Sequence, residues 1–228
     1  MDALDPIPGE TVLEIGPGPG TLTGALLARG LRVIAIEKDR ALAAGLQREN
    51  LRVIEGDALE VQWPSGHKVV GNIPYYITSP LIDKALTPPL PERIVFLVQD
   101  EVADRIAAPP GNKTYGALSV GVQAVARVEK LFTVAAGAFR PPPKVRSALI
   151  RLTPLAEPLV RAEEVAAFRV FVTACFSKRR KQLKNVVPGL TAADLVQLGF
   201  DPMVRPERLP PEAFVRLLRA PLRRSRQL

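Results

Sequence analysis

One cysteine and one histidine in 228 residues leave little from which to build a metal site or a thiol- or imidazole-activated nucleophile. Cys175 alone excludes an internal disulfide framework. It lies in Phe168-x3-Val172-x2-Cys175-Phe176, apolar at helical spacing, so a packed core thiol is the expected role. His67 follows Gly66 in a short connection before a strand, which disfavours Ser-His-Asp and Cys-His hydrolases. Long apolar runs are missing too. No stretch is long enough to cross a bilayer and no signal peptide heads the chain, so a cytoplasmic protein is expected.

What is present is a soluble, globular composition, 47% apolar and 24% charged, long enough for one domain and a small appendage. The net charge of +8 is uneven: residues 1–139 carry 13 Lys/Arg against 16 Asp/Glu, and residues 140–228 carry 18 against 7. A near-neutral body with a strongly basic tail is the pattern of a tail that holds a polyanion; a merely solubilising surface is the alternative.

Short β-rich runs alternate with helical segments. Strands are expected at 11–15, 32–36, 51–54, 68–70 and 94–98, with helices over 21–29, 39–47 and 100–107. That order indicates a doubly wound, mostly parallel α/β sheet of the Rossmann-like kind. Residues 115–125 look helical and 147–152 look like a late strand. The boundary is expected at about 155, dividing a domain over 1–154 from a small all-α domain over 155–228 with helices at 163–176, from Thr191, and at 211–218. The tail at 223–226 is expected to be unstructured.

Doubly wound sheets bind ligands at the carboxyl ends of their strands. The chemically unusual residues fall there: Gly16-Pro-Gly18-Pro-Gly20, Glu37, Asp57 and Asn72. The glycine loop is neither the dinucleotide fingerprint, because its third glycine comes one position early, nor a P-loop, because no Gly-Lys-Ser/Thr follows. With no pyrophosphate to cradle, the glycines admit close backbone approach to a ligand. Glu37 is spaced to accept from two ribose hydroxyls and Asp57 from an adenine amino group, which suits S-adenosylmethionine better than NAD. A tight turn with two surface carboxylates is the plain alternative. In Asn72-Ile73-Pro74-Tyr75, Pro74 fixes its own φ and biases Ile73 to an extended conformation. The Asn72 amide oxygen and the neighbouring carbonyls can then leave the strand end together, with Tyr75 beside them. Acceptors next to a flat ring suit an exocyclic amine on a planar base; a strand-ending turn with a buried Tyr75 is the other reading.

These motifs carry a resemblance. Glu14-Ile-Gly-Pro-Gly-x-Gly-x-Leu-Thr23, Glu37, Gly56-Asp57-Ala58-Leu59 and Asn72-Ile-Pro-Tyr75 are similar to those of the ribosomal RNA adenine N6-dimethyltransferases. The KsgA type is the best match, on Val98-Gln-x-Glu-Val-Ala-x-Arg105, Tyr115-Gly-x-Leu-Ser119, Phe139-x-Pro-x-Pro-x-Val-x-Ser147 and Phe176-x2-Arg-Arg-Lys181. The resemblance implies an S-adenosylmethionine-dependent enzyme, without a metal, that puts four methyl groups on two adjacent adenosines near the 3′ end of small-subunit (16S) rRNA. It implies that Gly16, Gly18, Gly20, Glu37, Asp57, Ala58 and Asn72 bind the cofactor. Asn72 with the Ile73–Pro74 backbone would hold the amine, and Tyr75 and Phe139 would stack on the extruded base. Three successive prolines after Arg140 make the Phe139 loop stiff. Lys144 and the cluster Lys178, Arg179, Arg180, Lys181 and Lys184 are expected to meet RNA phosphates, although a solvated charge run is the usual account of such clusters. The expected partner is the small ribosomal subunit or its precursor rRNA, met by a monomer.

One departure stands out. Before the glycine loop the family has a basic segment with a Gln-Asn/His-Phe-Leu motif that closes over the cofactor's methionine end. This chain begins Met1-Asp2-Ala3-Leu4-Asp5-Pro6, and reduced cofactor affinity and turnover are expected. Two rivals follow: the large-subunit (23S) adenine methyltransferases of the macrolide-resistance type, and a catalytically weak assembly factor that holds precursor rRNA. DNA adenine methylation fits less well, since those enzymes commonly carry a second proline where this chain has Ile73.

Overall fold

The computed structural model describes residues 2–140, 142–178 and 180–221. Pro141 of the proline run, Arg179 of the basic cluster and the tail at 223–226 lie outside them. The chain divides into two compact units, Met1–Ala103 with Ala126–Leu155, and Asp104–Val125 with Ala156–Leu228.

The first unit holds a seven-stranded sheet in the order β3-β2-β1-β4-β5-β7-β6. Its strands are β1 (Thr11–Ile15), β2 (Arg32–Glu37), β3 (Leu51–Glu55), β4 (Lys68–Asn72), β5 (Ile94–Gln99), β6 (Ala126–Val134) and β7 (Ser147–Pro154). β1 to β5 pair in parallel, whereas β7 runs antiparallel to both β5 and β6. The central strands read as apolar runs because both faces are covered: Val12, Leu13, Val33, Ala35, Ile94 and Phe96 are all buried. Helix α1 (Thr21–Leu27) follows β1, α2 (Arg40–Gly45) follows β2, and α3 (Thr78–Ala85) lies between β4 and β5. Asp39 caps α2 by accepting from the N–H groups of Ala41 and Leu42. Lys68, 2% exposed at the start of β4, is compensated by the Asp5 carbonyl (2.7 Å) and the Glu10 carboxylate (3.1 Å), and so ties the N-terminal segment to the sheet.

Sequence reasoning finds the parallel strands and β7 but not β6 or α3. β6 is an edge strand whose alternation is broken by a bulge between Lys130 and Phe132, and its charges belong to cross-strand pairs such as Glu129 opposite Arg151. α3 carries Pro80 within its first turn, where the missing N–H costs nothing.

The second unit is helical. Helix α4 (Asp100–Ala107) begins in the first unit and ends in the second; α5 (Ala117–Gln123), α6 (Val165–Phe176), α7 (Ala192–Gln197) and α8 (Pro211–Leu218) follow. The late seam lies at Leu155/Ala156, but residues 104–125 group with this unit instead of with the sheet. Side chains explain that grouping. The Ser119 hydroxyl donates to the Arg105 carbonyl, Gln123 to the carbonyls of Ile106 and Ala108 (2.8 Å each), and the Tyr115 hydroxyl to the Leu209 carbonyl (2.9 Å). Such long-range bonds are invisible to a linear division at 154. Phe168, Val172 and Cys175 line the inner face of α6, and burial pushes the Cys175 thiol up to about 12, as befits a core residue. Thr191 caps α7 through a reciprocal capping box with Asp194. Among the described residues no helix is long and apolar enough to cross a membrane.

Candidate active site

Register brings the unusual residues into one row. Ile15 pairs with Ile36 on one side and Gly71 on the other, and Glu37 pairs with Glu55. The residues just beyond these pairs therefore emerge side by side at the carboxyl edge, in the order Asp57, Glu37, Gly16, Asn72. Three strand spacings separate the ends of that row, about 14 Å.

The glycine loop turns its donors inward. Gly16 N–H donates to the Ile36 carbonyl (2.9 Å), Gly20 N–H to the Pro17 carbonyl (3.0 Å), and Gly18 N–H to Glu37 Oε2 (3.0 Å). A pyrophosphate site requires such N–H groups to face the ligand; here they face the protein. Gly16 (φ 65°) and Gly18 (φ 55°) are left-handed, and the space where a Cβ would stand is empty at both.

Glu37, 7% exposed, also accepts from Asp39 N–H at Oε1 (2.9 Å). Each of its oxygens thus keeps a second lone pair for a hydroxyl donor. Asp57 accepts from Leu59 N–H (2.8 Å) and from the Lys38 ammonium (2.8 Å), which holds its carboxyl below the usual range. Lys38 is pushed up in turn by the same bond. Ala58 is buried next to it and its carbonyl accepts from the Trp63 indole (2.8 Å). From α3, Lys84 donates to the carbonyls of Leu59 (2.8 Å) and Val61 (2.7 Å), bracing the turn that carries Asp57.

Asn72 is exposed at the end of β4, and among the described residues its side-chain amide has no partner. Ile73 N–H is taken by the Leu97 carbonyl (3.1 Å), while no described group donates to the Ile73 carbonyl. Pro74 is exposed, with ψ 129°, and starts the 3-10 turn Tyr75–Ile77. Tyr75 is half-buried and its hydroxyl bonds Ser147 Oγ (2.7 Å). Phe139 is half-buried at the end of the short turn Ala136–Ala138, and Lys144 is exposed. Lys38 and Lys84 were not legible in the sequence, because each acts on a residue far from it along the chain and neither sits in a recognisable spacing. Ser147 closes the Phe139-x-Pro-x-Pro-x-Val-x-Ser147 motif, but its bond to Tyr75 spans 72 positions and could not be read there.

In the second unit, Lys178, Arg180, Lys181 and Lys184 are exposed. The bonds Leu183 N–H to Val204 O (2.7 Å) and Lys184 N–H to Pro202 O (3.1 Å) set this turn against the 202–205 segment. Between them lies a trough of about 450 Å³ lined by Arg180, Lys181, Gln182, Asn185, Met203 and Arg205. Arg205 is a cation that sequence reasoning passed over, being isolated from the run at 178–184. Among the described residues no group of three or more His, Cys, Asp or Glu side chains is placed to hold a metal ion.

A parallel sheet with a reversed final strand, inward-turned loop amides and acceptors in a row define a Rossmann-like methyltransferase. A family model described as "Ribosomal RNA adenine dimethylase" matches residues 1–209, and the chain belongs to that family. It is 44% identical to the "Ribosomal RNA small subunit methyltransferase A" of Pseudomonas aeruginosa, over 92% of this chain and 83% of that protein. The protein of the same name from Hahella chejuensis is 41% identical, over 94% and 84%. Among solved structures, a dimethyladenosine transferase from Plasmodium falciparum superposes with a TM-score of 0.82 at 29% identity, covering 95% of this chain and 91% of its own. The 23S rRNA methyltransferase ErmE gives 0.73, also at 29% identity, with coverage of 95% and 93%.

Proposed function

We propose that this chain transfers methyl groups from S-adenosylmethionine to N6 of two adjacent adenosines near the 3′ end of small-subunit ribosomal RNA. The observation that carries the reading is the row of Asp57, Glu37, the glycine loop and Asn72 across four neighbouring strands. Its donor set fits the cofactor: two carboxylates with spare lone pairs at the nucleoside end, an open glycine face next, and an amide at the far end. The sequence relatives at 41–45% identity carry the small-subunit name, which weighs against the large-subunit alternative.

S-adenosylmethionine supplies an electrophilic methyl group when bound. The chain supplies position. Asp57 with Ala58 would hold the adenine end of the cofactor, Glu37 its ribose hydroxyls, and Gly16, Gly18 and Gly20 would let it lie against the backbone. Asn72 Oδ1 and the Ile73 carbonyl would accept the two N–H bonds of the target amine, drawing its lone pair out of conjugation with the base and aiming it along one line. Pro74 keeps Ile73 extended so that both acceptors face the same way. Tyr75 and Phe139 would present flat faces to a base taken out of its stack. Lys144, Lys178, Arg179, Arg180, Lys181 and Lys184, with Arg205 added, would neutralise RNA phosphates. The chain is proposed to act as a monomer in the cytoplasm, without a metal.

The test is to incubate the chain with methyl-labelled S-adenosylmethionine and small subunits that lack the modification, then map the modified bases. Label at two neighbouring adenosines near the 3′ end is expected. Label on large-subunit RNA, or RNA binding without label, would overturn the assignment.

A further inference from the structure

The segment between β6 and β7 carries Phe139, yet nothing in that segment's own sequence says what fixes its ends. Asp100 does so. It is the first residue of α4, directly after the carboxyl end of β5, and only 9% exposed. Its Oδ1 receives the Lys130 ammonium of β6 (2.7 Å) and the Thr133 hydroxyl (3.4 Å), and its Oδ2 receives the Arg146 guanidinium (2.9 Å). Its backbone N–H donates to the Arg146 carbonyl (3.0 Å). One buried carboxylate thus grips the strand that enters the Phe139 segment and the residue that leaves it. Two cations exceed what neutralising one carboxylate requires. The Arg146 side chain is 71% exposed and would be well solvated without the pair, so its placement fixes a position and compensates little buried charge.

The residue after Arg146 is Ser147, fully buried, whose Oγ meets the Tyr75 hydroxyl at 2.7 Å. The step from Asp100 to Arg146 to Ser147 to Tyr75 therefore couples the Phe139 segment to the turn that follows Asn72. We infer that Asp100, through Arg146 and Lys130, is a positioning residue that sets the rings of Phe139 and Tyr75 at the target base. This rests on the stacking roles proposed above for those two rings.

The test is steady-state methylation of unmodified small subunits by the full chain and by Arg146→Ala, Arg146→Lys, Asp100→Asn and the Asp100→Asn/Arg146→Ala double variant. Tyr75→Ala and Phe139→Ala serve as references, with thermal midpoints and cofactor affinities measured throughout. Arg146→Ala decides if Asp100→Asn folds poorly, because Arg146 is on the surface. The expected result is a kcat lowered about tenfold or more in Arg146→Ala and Asp100→Asn, with KM for S-adenosylmethionine nearly unchanged in both and the midpoint nearly unchanged in Arg146→Ala. Asp100→Asn, which loses a paired carboxylate, should also lower the midpoint. Arg146→Lys should recover most of the loss, and the double variant should be no slower than Asp100→Asn alone. Unchanged kcat in Arg146→Ala and Asp100→Asn beside slow Tyr75→Ala and Phe139→Ala would overturn the clamp and leave the stacking reading intact. In Arg146→Ala, a kcat loss that tracks a fallen midpoint or a weakened cofactor affinity would reduce the Asp100–Arg146 pair to a structural role and overturn the clamp too. Full activity in both ring variants would bring down the stacking reading and the clamp with it.

Discussion

At the scale of single residues, the site depends on how closely two backbones approach. Gly71 sits in β4 one position before Asn72, and a Cβ there would stand 2.7 Å from the Ile15 carbonyl and 2.8 Å from Ile73 Cδ1. The pairing of β1 with β4 leaves no room for it, and either neighbour that gave way would shift a part of the site. Gly71→Ala is expected to cost about 1–3 kcal/mol and to slow methylation by more than the lost folded population accounts for. Urea unfolding beside a rate measured on the folded fraction checks this. Asn72, Glu37 and Asp57 were legible in the sequence because each ends a β-rich run. The partners that hold two of them were not: Glu37 is tied to the Gly18 amide and Asp57 to Lys38, and both bonds depend on strand order.

At the scale of elements, the helical unit shows a motif of the resemblance acting in packing. In Tyr115-Gly-x-Leu-Ser119, Tyr115 is 2% exposed, its ring meets Phe176 edge-on at 6.1 Å, and its hydroxyl donates to the Leu209 carbonyl. Burial keeps that phenol protonated far above neutral pH. Tyr115→Phe leaves the Leu209 carbonyl unpaired and should lower the unfolding free energy by about 1–3 kcal/mol, measured by denaturant titration. A wild-type midpoint would mean that the bond contributes nothing net. Helices α4 and α8 match their sequence expectation because acidic first turns, the proline that opens α8 and apolar spacing are local signals. β6 does not, because an edge strand with a bulge takes its pattern from its partner.

At the scale of the whole molecule, charge does two separate jobs. Asp57, Asp100, Glu129 and Glu164 are held below the ordinary carboxylate range, chiefly by hydrogen bonds from Lys38, Lys130, Arg151 and Arg219. Since the folded groups bind protons less readily than the unfolded ones, their stabilisation is present above the unfolded values near pH 4, and it is lost as the pH falls through the lower folded values. Midpoints of urea unfolding should stay nearly flat from about pH 8 to about pH 5 and drop below about pH 4; a steep fall between neutral and mildly alkaline pH would contradict this. Lys178, Arg180, Lys181 and Lys184 of the basic turn, by contrast, are exposed. Replacing Lys178, Arg180 and Lys181 by alanine should weaken RNA binding and make its dependence on salt shallower, by roughly 0.9 in log–log slope for each duplex phosphate no longer neutralised. Filter binding across a salt series reads that slope. The uneven charge made a basic C-terminal part legible at once, whereas the trough beside the 178–184 turn, with Arg205 and Met203, needed the fold to bring residues 202–205 against 183–184.

The most direct test of the account is the single-turnover methylation rate of Asn72→Ala on unmodified small subunits, with subunit binding measured alongside. Loss of one preorganised acceptor should slow the step about 10²–10³-fold while binding stays within about twofold. A wild-type rate, or a loss explained entirely by weaker binding, would contradict the claim that this amide holds the reacting amine.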